Sequence, residues 1–456
     1  MNPLYTLFTQ VITLHRKPDS RLVLALSGGV DSRVLLDLLM RYKSDHPDVV
    51  CLAVHVHHGL SENADEWVSQ CDRWCRDSEI PLAVEKVVLK KDSGESIEKL
   101  ARDARYAALA KHIHRDDLLL TGQHRDDQVE TFLLALKRGS GPKGLSSMAE
   151  CLPFELGYQL RPLLTASRKE IEQFAHQQSL DWVEDESNLD TRFDRNFIRH
   201  SITPPLLDRW PSFSQSVQRS AALCAEQETL LDELLQPALM NMVGDDNQVV
   251  LSTLSTYSVL AQKRLLRMWL ERCGSLMPSR QHLEAILEQV IGAKSDANPQ
   301  LNLLNGQIRR FNGGLYFITD HQDVSQWTAP LSLNHSLLLP DGLGEINLRP
   351  RDAVQGKVTS VDACPQTVSI RGDYTGSLSV IFDPQGLAAH PSSRGHSRKL
   401  KKLFQEYQVP SWLRRRTPII MNDSHVVAVM GLFVTKPYQG HDCEVYWDKK
   451  LEFVQK

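Results

Sequence analysis

The sequence predicts a parallel-sheet, doubly wound α/β nucleotide-binding domain, followed by a mostly helical domain and a small α+β domain, on three observations. Through about residue 125, short apolar segments at 21–26, 49–56, 81–89 and 117–122 alternate with helix-patterned stretches at 32–43, 62–78 and 95–112. Buried parallel strands read as such apolar runs, and their alternation with helices means a sheet covered on both faces. Pro204, Pro205 and Pro211 then mark a boundary, beyond which 213–235, 262–272 and 281–290 are helix-patterned. Near Pro330 the pattern changes again, to alternating segments such as "GEINLRPR", "GSLSVIFD" and "HVVAVMGLFV" around one basic helix. Domains at 1–212, 213–329 and 330–456 follow.

Composition narrows the class. A chain of 456 residues is too long for one ordinary core. Its 41% hydrophobic and 24% charged content is that of a globular protein, and no apolar run is long enough to span a membrane. The start, "MNPLYTLFTQVITLHRKPDS", lacks the long apolar core of a signal peptide, so the expected location is the cytoplasm. A net charge of -4 argues against a uniformly basic nucleic-acid binder but allows a local basic face. The eight cysteines contain no Cys-x-x-Cys pair and read as reduced, mostly structural thiols.

The chemistry starts at "LVLALSGGVDSRVLLDLL", residues 22–39, where a Ser-Gly-Gly-Val-Asp-Ser turn joins a buried strand to a helix. A glycine pair lets backbone approach a ligand closely, and a helix start offers free N–H groups and the positive end of a dipole. That makes an anion site from Ser27, Gly28, Gly29, Val30, Asp31 and Ser32. Asp31 repels phosphate unless a cation lies between them, which points to a magnesium nucleotide. The loop lacks the lysine of a Walker A motif and the three glycines of a dinucleotide fingerprint.

After a strand, "SGGVDS" resembles the pyrophosphate loop of the N-type ATP pyrophosphatases. Members of that superfamily cleave ATP between the α and β phosphates, usually to adenylate a carbonyl oxygen. Four further stretches narrow the family: "AVHVHHGL" (53–60), "IEKLARDARYAAL" (97–109), "QHRDDQVETFLLALKRGSGPKGL" (123–145) and "EDESNLDTRFDRNFIRH" (184–200). With "RPLL" at 161–164 and the basic tail from Arg394, they resemble the tRNA(Ile)-lysidine synthase family in order and spacing over nearly the whole chain. The resemblance implies a ligase that uses ATP to activate C2 of the wobble cytidine in a CAU anticodon. Free L-lysine then displaces the adenylated oxygen, and the products are lysidine, AMP and pyrophosphate.

The residues suit that chemistry. Asp126, Asp127 and Glu130 fall in one helix's opening turns, with Asp127 and Glu130 on one face. Magnesium and a lysine ammonium both call for carboxylate oxygens. Asp31 and Asp127 are the metal candidates, and the resemblance makes Asp127 and Glu130 essential. Which acid meets lysine stays open. A lysine ammonium must lose a proton before attack, and His124 and Glu130 are the candidate acceptors. His55, at the end of the second strand, is placed with the nucleotide. Arg105, in "ARDARY", is expected on a phosphate of ATP or tRNA, and Arg195, Asn196 and Arg199 are given the same reading toward RNA.

From Arg394 to Arg416, eight basic residues face one acid, Glu406. Leu400, Leu403, Phe404 and Tyr407 give the helix an apolar side, leaving a basic side for tRNA. Arg394, Lys401, Lys402, Arg414, Arg415 and Arg416 are the expected phosphate contacts. A tRNA thiolase built on the same loop needs paired reactive cysteines, and Cys151 has no neighbour to pair with. A nucleotide-gated RNA-binding protein is the non-enzyme alternative. Monomer and homodimer both stay open, since the apolar helical second domain can serve as a linker or as a dimer face.

Overall fold

The computed structural model describes residues 2–59, 63–88, 97–244, 246–294, 297–351, 366–374 and 378–449. The expected helix starts at Glu62 and Glu95, the strand end at Leu89, and Gly376 and Ser377 of "GSLSVIFD" lie outside them. The chain divides into two compact units, 1–234 and 235–456.

In the first unit, α1 (Pro3–His15) precedes β1 (Leu22–Ala25), α2 (Val30–Asp45), β2 (Cys51–His57), α3 (Ala64–Asp77), β3 (Leu82–Lys86), α4 (Ile97–Ala110) and β4 (Leu118–Leu120). β1, β3 and β4 lie within their apolar segments, and β2 runs one residue past its segment, to His57. Next come α5 (Arg125–Lys137), the short α6 (Pro142–Leu145), the hairpin β5 (Cys151–Phe154) and β6 (Gly157–Leu160), and α7 (Arg168–Gln177). The sheet order is β3-β2-β1-β4-β6-β5, parallel except for the edge strand β5.

β1 therefore pairs β2 on one side and β4 on the other, so the chain reverses direction across the sheet between β1 and β4. Ligands of such sheets bind at that switch point, outside the strands' carboxyl ends. The largest core packs α1, α2, α3 and α7 on one face of the sheet, and a smaller one packs α4 on the other. Helix α1 was not foreseen. Asn2 caps it by accepting the Leu4 N–H, and Leu4, Tyr5, Phe8, Val11 and Ile12 bury one face.

A buried ion pair closes the amino end of the sheet. The Asp117 carboxylate accepts hydrogen bonds from Arg21 Nε at 3.0 Å and from the His114 backbone N–H at 2.7 Å. Burial alone would raise the Asp117 pKa, but these bonds and the Arg21 charge hold it below the usual carboxylate value. A depressed pKa contributes stability above the unfolded value of about 3.9, and the contribution is lost as pH falls through the folded value. Asp117→Asn is thus expected to cost about 3 kcal/mol at pH 7. In urea unfolding, the gap between variant and parent should narrow between about pH 4 and pH 2.

The segment 184–209 contains more structure than its composition suggests. α8 (Asp194–Phe197) runs into a π-helical turn at Ile198–Ile202, and α9 (Thr203–Arg209) carries Pro204 and Pro205 in its first turn. α10 (Phe213–Met242) follows.

In the second unit, β7 (Val249–Val250), α11 (Leu251–Leu254), α12 (Val259–Arg272) and α13 (Arg280–Ala285) lead into a π-helical turn at Ile286–Ile291. Three strands come next, β8 (Gln300–Leu303), β9 (Gly306–Phe311) and β10 (Gly314–Ile318), in an antiparallel sheet ordered β7-β10-β9-β8. A helical reading of 213–329 passes over this sheet. Beyond it, a five-stranded and a four-stranded antiparallel sheet enclose a common apolar core. α14 (Leu400–Glu406) buries Leu400, Leu403 and Phe404 in a second one, as its pattern predicts.

Candidate active site

The Gly-rich turn sits at the switch point. Ser32 Oγ accepts hydrogen bonds from the Ser27 N–H at 3.2 Å and the Gly28 N–H at 3.1 Å, and donates to the Gly29 carbonyl at 3.0 Å. Ser32 therefore shapes the loop from within. Gly28 needs to be glycine, because its φ of +96° is strained for any other residue. Gly29 is the N-cap of α2, and the first intrahelical bond runs from the Arg33 N–H to the Gly29 carbonyl. The N–H groups of Val30, Asp31 and Ser32 thus form the unbonded first turn, which is what a phosphate needs.

The turn after β4 comes up against this loop. A Cβ on Gly122 would lie 3.0 Å from Asp31 Cβ and 3.3 Å from the Ser32 nitrogen, so a side chain there would press on the first turn of α2. Three residues on, a capping box starts α5: the His124 side chain accepts the Asp126 N–H, and Asp127 Oδ2 accepts the His124 N–H at 3.0 Å. The local geometry that starts the helix therefore also places its acids.

Two cation seats result. Asp31 Oδ1 and Asp127 Oδ2 lie 3.7 and 3.5 Å from the same atom, His124 Nε2. Asp31 Oδ1 is buried and accepts no hydrogen bond, while its Oδ2 accepts one from Arg168 at 2.8 Å. Burial raises the Asp31 pKa, opposed by His124 and Arg168. Among the described residues no cluster of three or more His, Cys, Asp or Glu forms a closed metal cage. Two carboxylates with an unsatisfied oxygen fit magnesium, which commonly takes one or two protein carboxylates and completes its shell with phosphate and water.

The second seat is occupied by the protein's own cations. Arg195 Nε donates to Glu130 Oε2 at 2.7 Å and Arg199 Nε to Glu130 Oε1 at 2.6 Å. Both arginines also reach Asp127 Oδ1, at 3.2 and 3.3 Å. Glu130 is only 2% exposed, so its charge depends on these partners. The sequence reading set Arg195 and Arg199 toward RNA, whereas in the structure they lie on the two acids. Asn196 donates to the Asp190 carbonyl instead. Spacing contained the signal for the arginine pair, since residues four apart share a helix face.

The remaining residues divide between the site and its supports. His55 is buried with Nδ1 2.8 Å from the Leu26 carbonyl, and burial lowers its pKa. Arg105 is exposed by area yet crowded enough that its guanidinium pKa is pushed down by desolvation, with the Tyr106 and Asp185 charges opposing the shift. Burial also pushes His124 down, but the Asp126 hydrogen bond and the Asp127 and Asp31 charges outweigh it and leave the pKa raised. Sequence reasoning missed Arg168, whose partner lies 137 positions away.

In the second unit the basic tail separates into paired and unpaired charges. Arg394 and Arg398 both contact Glu406. Arg416 donates to Asp341 at 2.6 Å with both side chains mostly buried, and Arg415 lies 3.9 Å from Asp383. Lys401 and Lys402 are exposed, with no ion pair among the described residues. Arg416→Ala should therefore cost about 3 kcal/mol by removing the guanidinium that pairs with Asp341, seen as a lower unfolding midpoint.

A glycine-rich phosphate loop and carboxylates meeting at the switch point of a parallel sheet define a nucleotide-using enzyme of the PP-loop class. Residues 4–206 match the family model described as the PP-loop domain. Residues 250–316 match the TilS substrate binding domain and 378–451 the TilS substrate C-terminal domain. The tRNA(Ile)-lysidine synthase of Vibrio vulnificus (strain CMCP6) is 58% identical, covering 98% of this chain and all of that protein. Its Vibrio cholerae counterpart (strain ATCC 39541) is 50% identical with both chains fully covered. Among solved structures, a U34-tRNA thiolase from Methanococcus maripaludis aligns over 49% of this chain and 78% of its own, at 17% identity and a TM-score of 0.41. The chain belongs to the tRNA(Ile)-lysidine synthase family.

Proposed function

We propose that this chain is a cytoplasmic ligase that uses ATP to join free L-lysine to C2 of the wobble cytidine in the CAU anticodon of tRNA(Ile), through an adenylated cytidine. The observation that carries the reading is the pair of cation seats beside the phosphate loop. A binding protein that merely held a nucleotide would need the first seat and not the second. No described helix is long and apolar enough to cross a membrane.

The backbone N–H groups of residues 30–32 hold the phosphates. Asp31 and Asp127 would hold magnesium, which when bound neutralises the triphosphate and favours departure of pyrophosphate. Cytidine O2 attacks the α-phosphorus and pyrophosphate leaves. The lysine ε-nitrogen then attacks C2, and AMP departs with the former O2. Glu130 and Asp127 Oδ1 orient the ε-ammonium in the seat now filled by Arg195 and Arg199, which must swing away. Glu130, which faces the ε-ammonium directly, takes its proton. Freed from the acids, Arg195 and Arg199 have phosphate as their natural partner, and Arg105 serves phosphate as well.

The catalytic work lies in 1–212, with tRNA handled by 213–329 and 330–456 and with Lys401, Lys402 and Arg415 as contacts on the outer face. The test is incorporation of radiolabelled lysine into unmodified tRNA(Ile) bearing CAU. Incorporation should require ATP and vanish when the wobble cytidine is replaced by uridine. Equal labelling of the uridine tRNA would exclude the wobble base as target.

A further inference from the structure

The phosphate loop has no lysine of its own, yet a guanidinium reaches it from 137 positions away. Arg168 opens α7, directly after the Ser167 N-cap. Its Nη1 donates to Asp31 Oδ2 at 2.8 Å and its Nε to Glu172 Oε1 at 2.7 Å, one turn further along α7. Backbone bonds fix the base of the side chain. The Arg168 N–H donates to Asp126 Oδ2 at 2.8 Å, and the Arg125 N–H donates to the Ala166 carbonyl at 2.8 Å. The start of α7 is thus tied to the start of α5, and the guanidinium to the first turn of α2.

A clasp between helices needs no more than the two acids. Those contacts occupy two of the five guanidinium N–H groups, and the others have no partner among the described residues. The side chain is 39% exposed, so donors remain open to a ligand. Asp31 supplies one of the loop's unbonded N–H groups, which puts a phosphate seated on the loop next to the residue that Arg168 holds. The Asp31 carboxylate divides the same way: Oδ1 is free for the metal seat and Oδ2 carries the arginine.

We infer that Arg168 binds the β- and γ-phosphates of ATP and stabilises pyrophosphate as it leaves. The inference rests on the ligase reading and deepens it by assigning the contact to the leaving group. As cytidine O2 bonds to the α-phosphorus, the bond from that phosphorus to the α–β bridging oxygen breaks. Its electron pair departs on pyrophosphate, whose negative charge grows in the step. A guanidinium fixed beforehand offers charge-assisted donors to those oxygens, and its planar fork suits two phosphate oxygens at once. A cation delivered from α7 therefore does at this loop what a lysine within the loop does in a Walker A motif.

The test measures pyrophosphate and AMP binding to the full chain by calorimetry across a magnesium titration, and pyrophosphate release in a single turnover with ATP and tRNA(Ile). Arg168→Gln should weaken pyrophosphate binding about tenfold at every magnesium concentration, with AMP affinity unchanged. Pyrophosphate release should slow about a hundredfold. Arg168→Lys retains the charge and should recover part of both losses, which covers the case in which the glutamine variant loosens α7. Lys169→Gln removes an exposed charge from the same turn and should match the parent. Parent-like pyrophosphate affinity in Arg168→Gln would overturn the contact. Equal losses for AMP and pyrophosphate would make Arg168 a helix clasp, and a loss that disappears as magnesium rises would make it a support for Asp31. Either result overturns the inference and leaves the ligase reading intact. Failure of the parent chain to bind both pyrophosphate and ATP would overturn the two together.

Discussion

Asp127→Asn is expected to cut single-turnover transfer of lysine into tRNA by about a thousandfold, in the range expected when one preorganised electrostatic group is removed. The substitution is nearly isosteric. Its amide oxygen still accepts the His124 N–H, as Oδ2 now does at 3.0 Å, so the turn that starts α5 is kept. What disappears is the charge shared by both seats, Oδ2 beside Asp31 and Oδ1 beside Glu130. Rapid-quench measurement of labelled tRNA reads the effect directly. A loss of less than about tenfold would remove Asp127 from the reacting centre.

Glu130→Gln separates the two seats. KM for lysine should rise about a hundredfold, as expected for loss of a charge-assisted contact to a desolvated group. Pyrophosphate release from ATP and tRNA should persist, since Asp31 and the phosphate loop are untouched. The variant also leaves two arginines facing a neutral amide in a buried place, which should cost about 3 kcal/mol of stability. Assays therefore belong well below its unfolding midpoint. A drop in kcat with lysine KM unchanged would put Glu130 in proton transfer alone.

The fold of the first unit is legible in its sequence because the parallel strands are buried on both faces and read as unbroken apolar runs. "RLVLAL" contains β1, and "VVCLAVHV" contains β2 up to its last residue, His57. The β8–β10 sheet is a different case. Its strands alternate over only four to six residues, and the helix-patterned stretches before it dominate the composition. Asn305-Gly306 and Asn312-Gly313 are the hairpin signals that mark it.

The site was legible in part for the same reason. The phosphate loop and the α5 acids are each local in sequence, and their placement after strands follows from the sheet rule. The pairing of Arg195 and Arg199 with Glu130 spans 65 and 69 positions and depends on how 194–202 folds back. Charge alone does not predict that: an arginine in an acid-rich stretch suits an RNA phosphate and a buried glutamate equally well. The same ambiguity affects Arg416, which reads as a surface charge and lies in an ion pair with Asp341.

The central claim is that one site both adenylates a cytidine and delivers lysine to it. The most direct measurement follows AMP release and lysine incorporation together in a single turnover with Mg-ATP, radiolabelled lysine and tRNA(Ile) bearing CAU. The account predicts equal final amounts of AMP and of labelled tRNA, with neither product formed when the tRNA is omitted. AMP released without label in the RNA, or label appearing without AMP, would contradict it.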